Sequence, residues 1–430
     1  MNRRVALAAV AACAAALSAL SPTPLRAQSA EAPLTVIKAA RMLDVRAGRV
    51  VDAPVITVQG GTITAVGGAV PAGARVIDLG DVTLAPGLID LHTHITMDIE
   101  GNWVLRAVTE GTADEALRGA RNARATVEAG FTTVRNLGSG NFADIALDRA
   151  IRAGFVPGPR IVSAGNSIGI TGGHCDTTGF APGVLEQDWR TGVADGPDEL
   201  IKAVRYQAKH GAQVIKICAT AGVLSFDATV GAQQLSETEM RAVVEEATRH
   251  GLRVAAHAHG TEGIKAAVRA GVASIEHGSL LDDEAIALMK ARGTYLVPTT
   301  YLVGAIDLSA LPPPIRAKAE YVLPLARQNL RKAIAAGVKI AFGTDAAVYP
   351  HGHNARELSV YVQLGMTPIE AIRSATTVAA EVLGVSDRGA IEAGRLADLI
   401  AVGGDPLRDV AAFQDVRFVM AAGRVVKGSK

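Results

Sequence analysis

One unit recurs along the middle of the chain: a segment of helical period, a glycine, then a short apolar run. Glu128-Ala-Gly130 precedes Thr132-Thr-Val-Arg135, Ala153-Gly154 leads to Arg160-Ile-Val162, and His210-Gly211 precedes Val214-Ile-Lys-Ile217. The pattern returns at His250-Gly251 before Val254-Ala-Ala-His257 and at Ala270-Gly271 before Ser274-Ile-Glu-His277. Two more copies are Arg292-Gly293 before Tyr295-Leu-Val297 and Ala336-Gly337 before Lys339-Ile-Ala-Phe342. A glycine in this place is the left-handed residue that ends a helix. Helix, glycine and strand repeated so often are the signature of a parallel α/β architecture. A buried strand from Gly87 to Leu91 precedes the series and brings the number to eight. Eight such units favour a closed (β/α)8 TIM-type barrel over an open sheet.

The flanks have a different rhythm. Leu34-Thr-Val-Ile37, Val55-Ile-Thr-Val58, Thr62-Ile-Thr-Ala-Val66 and Val76-Ile-Asp-Leu79 read as strands, with a hairpin signal at Gly60-Gly61. After Leu383 the β pattern resumes at Ala397-Asp-Leu-Ile-Ala-Val402, Val416-Arg-Phe-Val-Met420 and Gly423-Arg-Val-Val426. Each flank alone is too small to bury a core. The expectation is therefore one composite β-sandwich from 28–85 plus 386–430, appended to a barrel over 86–385.

The chain has 430 residues, 49% hydrophobic and 4% aromatic, ample apolar material for such a core. Its 43 basic residues are matched by 42 acidic ones, which excludes the basic footprint of a nucleic-acid binder. Residues 1–27 read as a secretory signal peptide: Arg3 and Arg4, the apolar run Val5 to Leu20, the break at Ser21-Pro-Thr-Pro24, and small Ala27. The run is too short for a membrane span. It also continues well past Cys13, so lipid anchoring there is not expected. Removing 1–27 takes away Arg3, Arg4 and Arg26 and leaves 40 basic against 42 acidic residues. An exported protein, periplasmic or secreted and without a stable membrane span, is expected. Only Cys175 and Cys218 remain in it. Two cysteines make no disulfide scaffold, and two free buried thiols are favoured over one bridge.

In a barrel of this type the functional residues sit at the C-terminal ends of the strands. The first strand runs into His92-Thr-His94, and side chains two residues apart in a strand share a side, so both imidazoles can close on one metal ion. The fourth strand carries Lys216, the fifth His257 and His259, the sixth His277, and the eighth Asp345 within Phe342-Gly-Thr-Asp345. Five of the ten histidines thus fall at strand ends. His210 and His250 instead precede helix-ending glycines, where a cation suits the helix C-terminus. Lys216 lies in an apolar strand where a charged ammonium is costly to bury. Either it pairs with a buried acid, or CO2 adds to its amine and the carbamate bridges two metals.

These residues carry a resemblance. Gly87-Leu-Ile-Asp-Leu-His-Thr-His94, Val214-Ile-Lys216, Ala256-His-Ala-His-Gly-Thr-Glu-Gly263, Ile275-Glu-His-Gly278, Gly343-Thr-Asp345 and the closing Gly394-Arg-Leu-Ala-Asp-Leu-Ile400 resemble, in order, the amidohydrolase superfamily in its two-metal subtype. Within it, the pattern is similar to Xaa-Pro dipeptidase-like and ochratoxin-hydrolysing amidohydrolases. The resemblance implies two divalent ions, for which zinc suits the mixed ligands without excluding manganese or cobalt. His92, His94 and Asp345 would hold one ion, His257 and His277 the other, with carbamylated Lys216 between them. Asp345 would also take the proton of the metal-bridging water and pass it to the leaving nitrogen. Asn136 departs from the pattern, since relatives usually carry Asp there.

The implied reaction is hydrolysis of an amide in a dipeptide or N-acyl amino acid, including ochratoxin-type amides, by a homo-oligomer acting on a small-molecule substrate. His174, in the loop Thr171-Gly-Gly-His-Cys-Asp176, and His259 are expected substrate contacts, with Tyr301 and Tyr349 lining the pocket. Ring opening of a cyclic amide (an imidazolone or dihydropyrimidine) is the alternative. Two other readings compete. Gly165-Asn-Ser-Ile-Gly169 matches a serine-hydrolase elbow but lacks a following helical pattern. His259-Gly-Thr-Glu262 has the spacing of a one-metal deaminase, against which Lys216 argues.

Overall fold

The computed structural model describes residues 33–99, 101–226 and 229–428. The signal-peptide segment and Cys13 lie outside the described residues. Seven parallel strands follow the expected rhythm: β1 (Leu88–Thr93), β2 (Phe131–Asn136), β3 (Arg160–Ser163), β4 (Ile215–Cys218), β5 (Val254–Ala258), β6 (Ser274–His277) and β7 (Tyr295–Val297). β1, β2 and β3 pair side by side, as do β4 through β7, every pairing parallel. The two groups are linked where Ile168 bridges to Ile217 and where the Gln213 N–H donates to Ser163 O. An extended eighth segment bridges β7 through Ile340 and Leu296, and β1 through Ala346 and Thr93. The eight segments are thus hydrogen-bonded one to the next, and the eighth to the first.

Helices connect these strands, and their ends are written in the sequence. The helix Glu237–Arg249 opens on a capping box in which Ser236 and Glu239 satisfy each other's backbone N–H groups. The helix Gly196–His210 closes on Gly211 at φ +103°, a conformation costly for any side chain with a Cβ. Leu200, Ala203 and Val204 of that helix, at helical spacing, are buried in the same core as Ile215 and Ile217 of β4. β1 is buried along its whole length, polar residues included.

The flanking strands form two further sheets. One has four strands, in the order Thr62–Val66, Val55–Gln59, Leu34–Lys38, Arg75–Asp78. The other interleaves both ends of the chain: Arg424–Lys427, Val416–Ala421, Leu399–Val402, Thr83–Pro86, Arg41–Asp44, Arg49–Asp52. Thr83–Pro86 joins the halves, pairing antiparallel with Leu399–Val402 and parallel with Arg41–Asp44. Ile37, Ile56 and Ile63 of the first sheet share one buried cluster with Leu84, Leu399 and Phe418 of the second. Three strands, at Arg41, Arg49 and Thr83, exceed the sequence expectation. They are four residues each, too short for a legible alternation.

Candidate active site

The C-terminal ends of the parallel strands open into one cavity of about 410 Å³. His92, His94 and Asp345 line it, as do Lys216, His257, His259 and His277. His92 ends up inside β1 and His94 just past it, and the strand alternation turns both towards Asp345. Their Nε2 atoms lie 3.4 and 3.5 Å from Asp345 Oδ1. Across the cavity, His257, His259 and His277 form a second group with ligand-capable atoms within 4.8 Å of one another.

In five of the cavity's imidazoles Nδ1 is engaged, which leaves Nε2 over. His92 Nδ1–H donates to Glu276 Oε2 at 2.9 Å, and His94 Nδ1–H to Gly138 O at 3.2 Å. His259 Nδ1 bonds Ser279 Oγ at 2.8 Å, His277 Nδ1 bonds Thr299 Oγ1 at 2.8 Å, and His174 Nδ1 bonds Ser225 Oγ at 2.9 Å. His257 Nε2 is buried without a hydrogen-bond partner among the described residues. Metal-ligating histidines have this arrangement, in which the partner of one nitrogen fixes the tautomer and aims the other.

Burial sets the protonation states. It holds His94 down to about 4, and His174 and His259 to about 3, so all three are neutral at pH 7. Burial also draws the Lys216 ammonium down to about 8, against the pull of Glu276 and Asp345. Asp345 is raised to about 6 by burial, with Lys216 opposing the rise. Three residues here adopt left-handed backbone without being glycine: His277 (φ +69°), Thr299 (φ +52°) and Asp345 (φ +59°). Such strain persists where surrounding contacts over-determine a functional geometry.

Two buried networks brace the site. Arg135 Nη2 donates to Glu276 Oε1 at 2.7 Å and Arg135 Nε to Leu91 O at 2.6 Å, with the ion pair 2% and 0% exposed. Asp90 accepts from Thr344 Oγ1 at 2.6 Å and Asn354 Nδ2 at 2.7 Å. Asp90 also accepts from the His92 N–H within β1, and the Thr344 bond ties the strand to the segment carrying Asp345. Arg135, Glu276 and Asp90 escaped the sequence reading. Their signal was the one used for Lys216, a charged residue inside an apolar strand.

Two expectations are corrected. Tyr301 and Tyr349 do not line the cavity. Their rings pack against each other at 5.1 Å, and the Tyr301 hydroxyl accepts from Arg356 Nη1, while neighbouring Thr300, Leu302 and Val348 form the wall. Cys175 and Cys218 form a disulfide with a Cα separation of 5.8 Å, so the free-thiol preference fails. Composition could not show that the loop after β3 folds back onto the end of β4. Glu262 opens the helix Thr261–Ala270 facing solvent, 73% exposed and paired with Lys265, away from any deaminase-like shuttle position. No helix directly follows Ser167, the next one starting at Gly196, and the Ser167 hydroxyl donates to Leu137 O. Asn136 has a structural role, its Oδ1 accepting from the Ile95 N–H at 2.6 Å and its Nδ2 donating to Asp144.

Residues 83–426 match the amidohydrolase family model. The chain belongs to that family. It is 37% identical over 371 residues to ochratoxinase of Aspergillus niger, a match covering 80% of this chain and 76% of the relative. Among solved structures it is similar to a Xaa-Pro dipeptidase with methionine bound in its active site (TM-score 0.87, 38% identity, 92% of this chain and 100% of that one). A more distant likeness, 25% over 401 residues and 84% and 88% of the two chains, is to imidazolonepropionase of Deinococcus radiodurans. Family membership makes this amidohydrolase a hydrolytic enzyme of amide bonds.

Proposed function

We propose that the chain is a two-metal hydrolase cleaving the amide of a dipeptide or N-acyl amino acid, with an amino acid bearing a free carboxylate as the leaving group. The observation that carries this reading is the convergence of two ligand clusters and Lys216 on one cavity. We read the ring of parallel segments as a (β/α)8 barrel over 86–385, with 28–85 and 386–430 as its composite sandwich. We further propose that the mature chain starts near Gln28 and works outside the cytoplasm, which the intact mass of exported protein tests.

The donor set fits divalent ions: neutral imidazoles with oriented Nε2 atoms, a carboxylate, and an orphaned nitrogen on His257. His92, His94 and Asp345 would hold one ion, and His257 and His277 the other. Lys216, as a carbamate, would serve both. Its lowered pKa supports this, because CO2 adds to the neutral amine. Bound ions supply the Lewis acidity that activates water and polarises a carbonyl. Asp345 accepts a proton from the attacking water and returns it to the leaving nitrogen. In the tautomer where the serine hydroxyl donates to Nδ1, His174 and His259 would carry their protons on Nε2 and could donate them to a substrate carboxylate. Met97, Trp103, Val303 and Ile306 give the cavity an apolar side suited to an acyl group or side chain.

The likeness to imidazolonepropionase supports a second reading, hydrolysis of a cyclic amide. Comparing N-acyl amino acids with their carboxamide-blocked forms separates the two. Under our reading, blocking lowers kcat/KM by about 10- to 100-fold, the equivalent of one charge-assisted hydrogen bond. Unchanged kcat/KM, or turnover of cyclic amides alone, contradicts it.

A further inference from the structure

Residues 164–195, between β3 and the next helix, contain no helix or strand, yet they deliver His174 to the cavity. The His174 ring stacks on His257 with centroids 4.0 Å apart and presses on Gly222, where a Cβ would come within 2.2 Å of the ring. A loop of this length has no intrinsic reason to hold a ring so closely. Among the described residues, the ties of this loop near His174 to the rest of the fold include the Ile168–Ile217 bridge, two side-chain hydrogen bonds and one covalent bond. The covalent bond joins Cys175, next to His174, with Cys218, two residues beyond Lys216 on the same side of β4. Both cysteines line the cavity.

We propose that the Cys175–Cys218 disulfide is a positioning element of the substrate site, fixing His174 over the β4 end, so that substrate affinity depends on its oxidation. The idea rests on the functional reading above, in which His174 meets the substrate carboxylate. A small dithiol can reach the bond from the cavity. Its thiolate attacks one sulfur, the S–S bond breaks, and a mixed disulfide forms. The second thiol then closes on that intermediate, leaving two protein thiols and a cyclic oxidised dithiol. The Thr171–His174 segment, with glycine at 172 and 173, is then free to leave His257.

The test compares the oxidised protein, the same protein reduced by dithiothreitol, and the Cys175→Ser/Cys218→Ser variant, each with and without His174→Ala. The readouts are thiol titration, metal content, steady-state kinetics on an N-acyl amino acid, and calorimetric binding of the amino-acid product. For the chain lacking residues 1–27, and with it Cys13, the expected results are no free thiols before reduction, constant metal content, KM raised about tenfold on reduction with kcat changed less than about threefold, and recovery on reoxidation. His174→Ala should weaken the oxidised enzyme and add nothing to the reduced one. Two free thiols in the folded oxidised chain, or KM and product affinity indifferent to reduction, overturn the proposal. So does parallel loss of kcat and metal, which marks a merely structural bridge. If no amide is cleaved but product affinity still follows the disulfide, the reaction reading fails and the clamp stands. No product binding in either state overturns both.

Discussion

The cluster at the β1 end and the cluster at the β5 and β6 ends start from the same material, strand-end histidines two residues apart. They are braced in opposite ways. His92 leans on Glu276, a carboxylate held by Arg135 in an ion pair sealed from solvent. His259 and His277 lean on the neutral hydroxyls of Ser279 and Thr299. The first cluster also contains a carboxylate of its own, Asp345, whereas the second consists of imidazoles alone. A charged partner makes an imidazole more basic and fixes it more rigidly than a hydroxyl does. The difference teaches that, if both clusters bind metal as proposed, the first would keep its ion and the second would exchange it. Lys216 is the group through which each would feel the other.

The largest expected effect comes from removing that coupling. Lys216→Ala should lower kcat on the order of 10³-fold, the equivalent of the several kcal/mol a correctly placed ion supplies. Metal analysis should show the β5–β6 ion lost first. Full metal content and rate in that variant would falsify the bridging role. Next comes Glu276→Gln, which leaves Arg135 buried without its counter-charge. Thermal or urea unfolding should show a loss of about 3 kcal/mol or more, and affinity at the β1 site should fall about 10- to 100-fold. Equal weakening of both sites would erase the contrast drawn above. Thr299→Val keeps the shape and removes only the hydroxyl behind His277. It should cost about tenfold in affinity at the β5–β6 site and leave the β1 site alone.

A smaller effect concerns pH in the metal-free protein. His94, His174 and His259 have folded-state pKa values of about 4, 3 and 3, below the ordinary 6.5 of an unfolded histidine. In that window the unfolded chain binds more protons, so stability falls as pH drops from about 6.5 towards 4. Asp90 and Glu357, raised to about 7 by burial, and Asp144 and Asp345, raised to about 6, act with the opposite sign and oppose part of this loss. Three more site histidines, His92, His257 and His277, are also held well down by burial, which keeps the net sign. Chemical denaturation of stripped protein at pH 7 and pH 5 checks it: the midpoint should be lower at pH 5.

Much of this was legible before any coordinates, for identifiable reasons. Strand alternation put His92 and His94 on one side, and the helix-ending glycines marked where each strand begins, so the residues that meet in the cavity could be read by counting. The braces could not. Glu276 reaches His92 across 184 positions of sequence, and Arg135 reaches Glu276 across 141. Such pairings exist only once β1, β2 and β6 are brought together. Tyr301 and Tyr349 fail for the converse reason: their sequence positions beside strand ends were right, but packing turned both rings behind the wall. The disulfide joins a loop without periodicity to a strand, so no pattern announced it.

The most direct test of the account is a zinc titration of metal-free protein in the presence of bicarbonate, following bound metal and N-acyl amino acid hydrolysis together. Two binding steps of unequal affinity are expected, the tighter one lost selectively in Glu276→Gln, with hydrolysis appearing only as the second step fills. Full activity after a single equivalent, or activity that survives complete removal of metal, would contradict it.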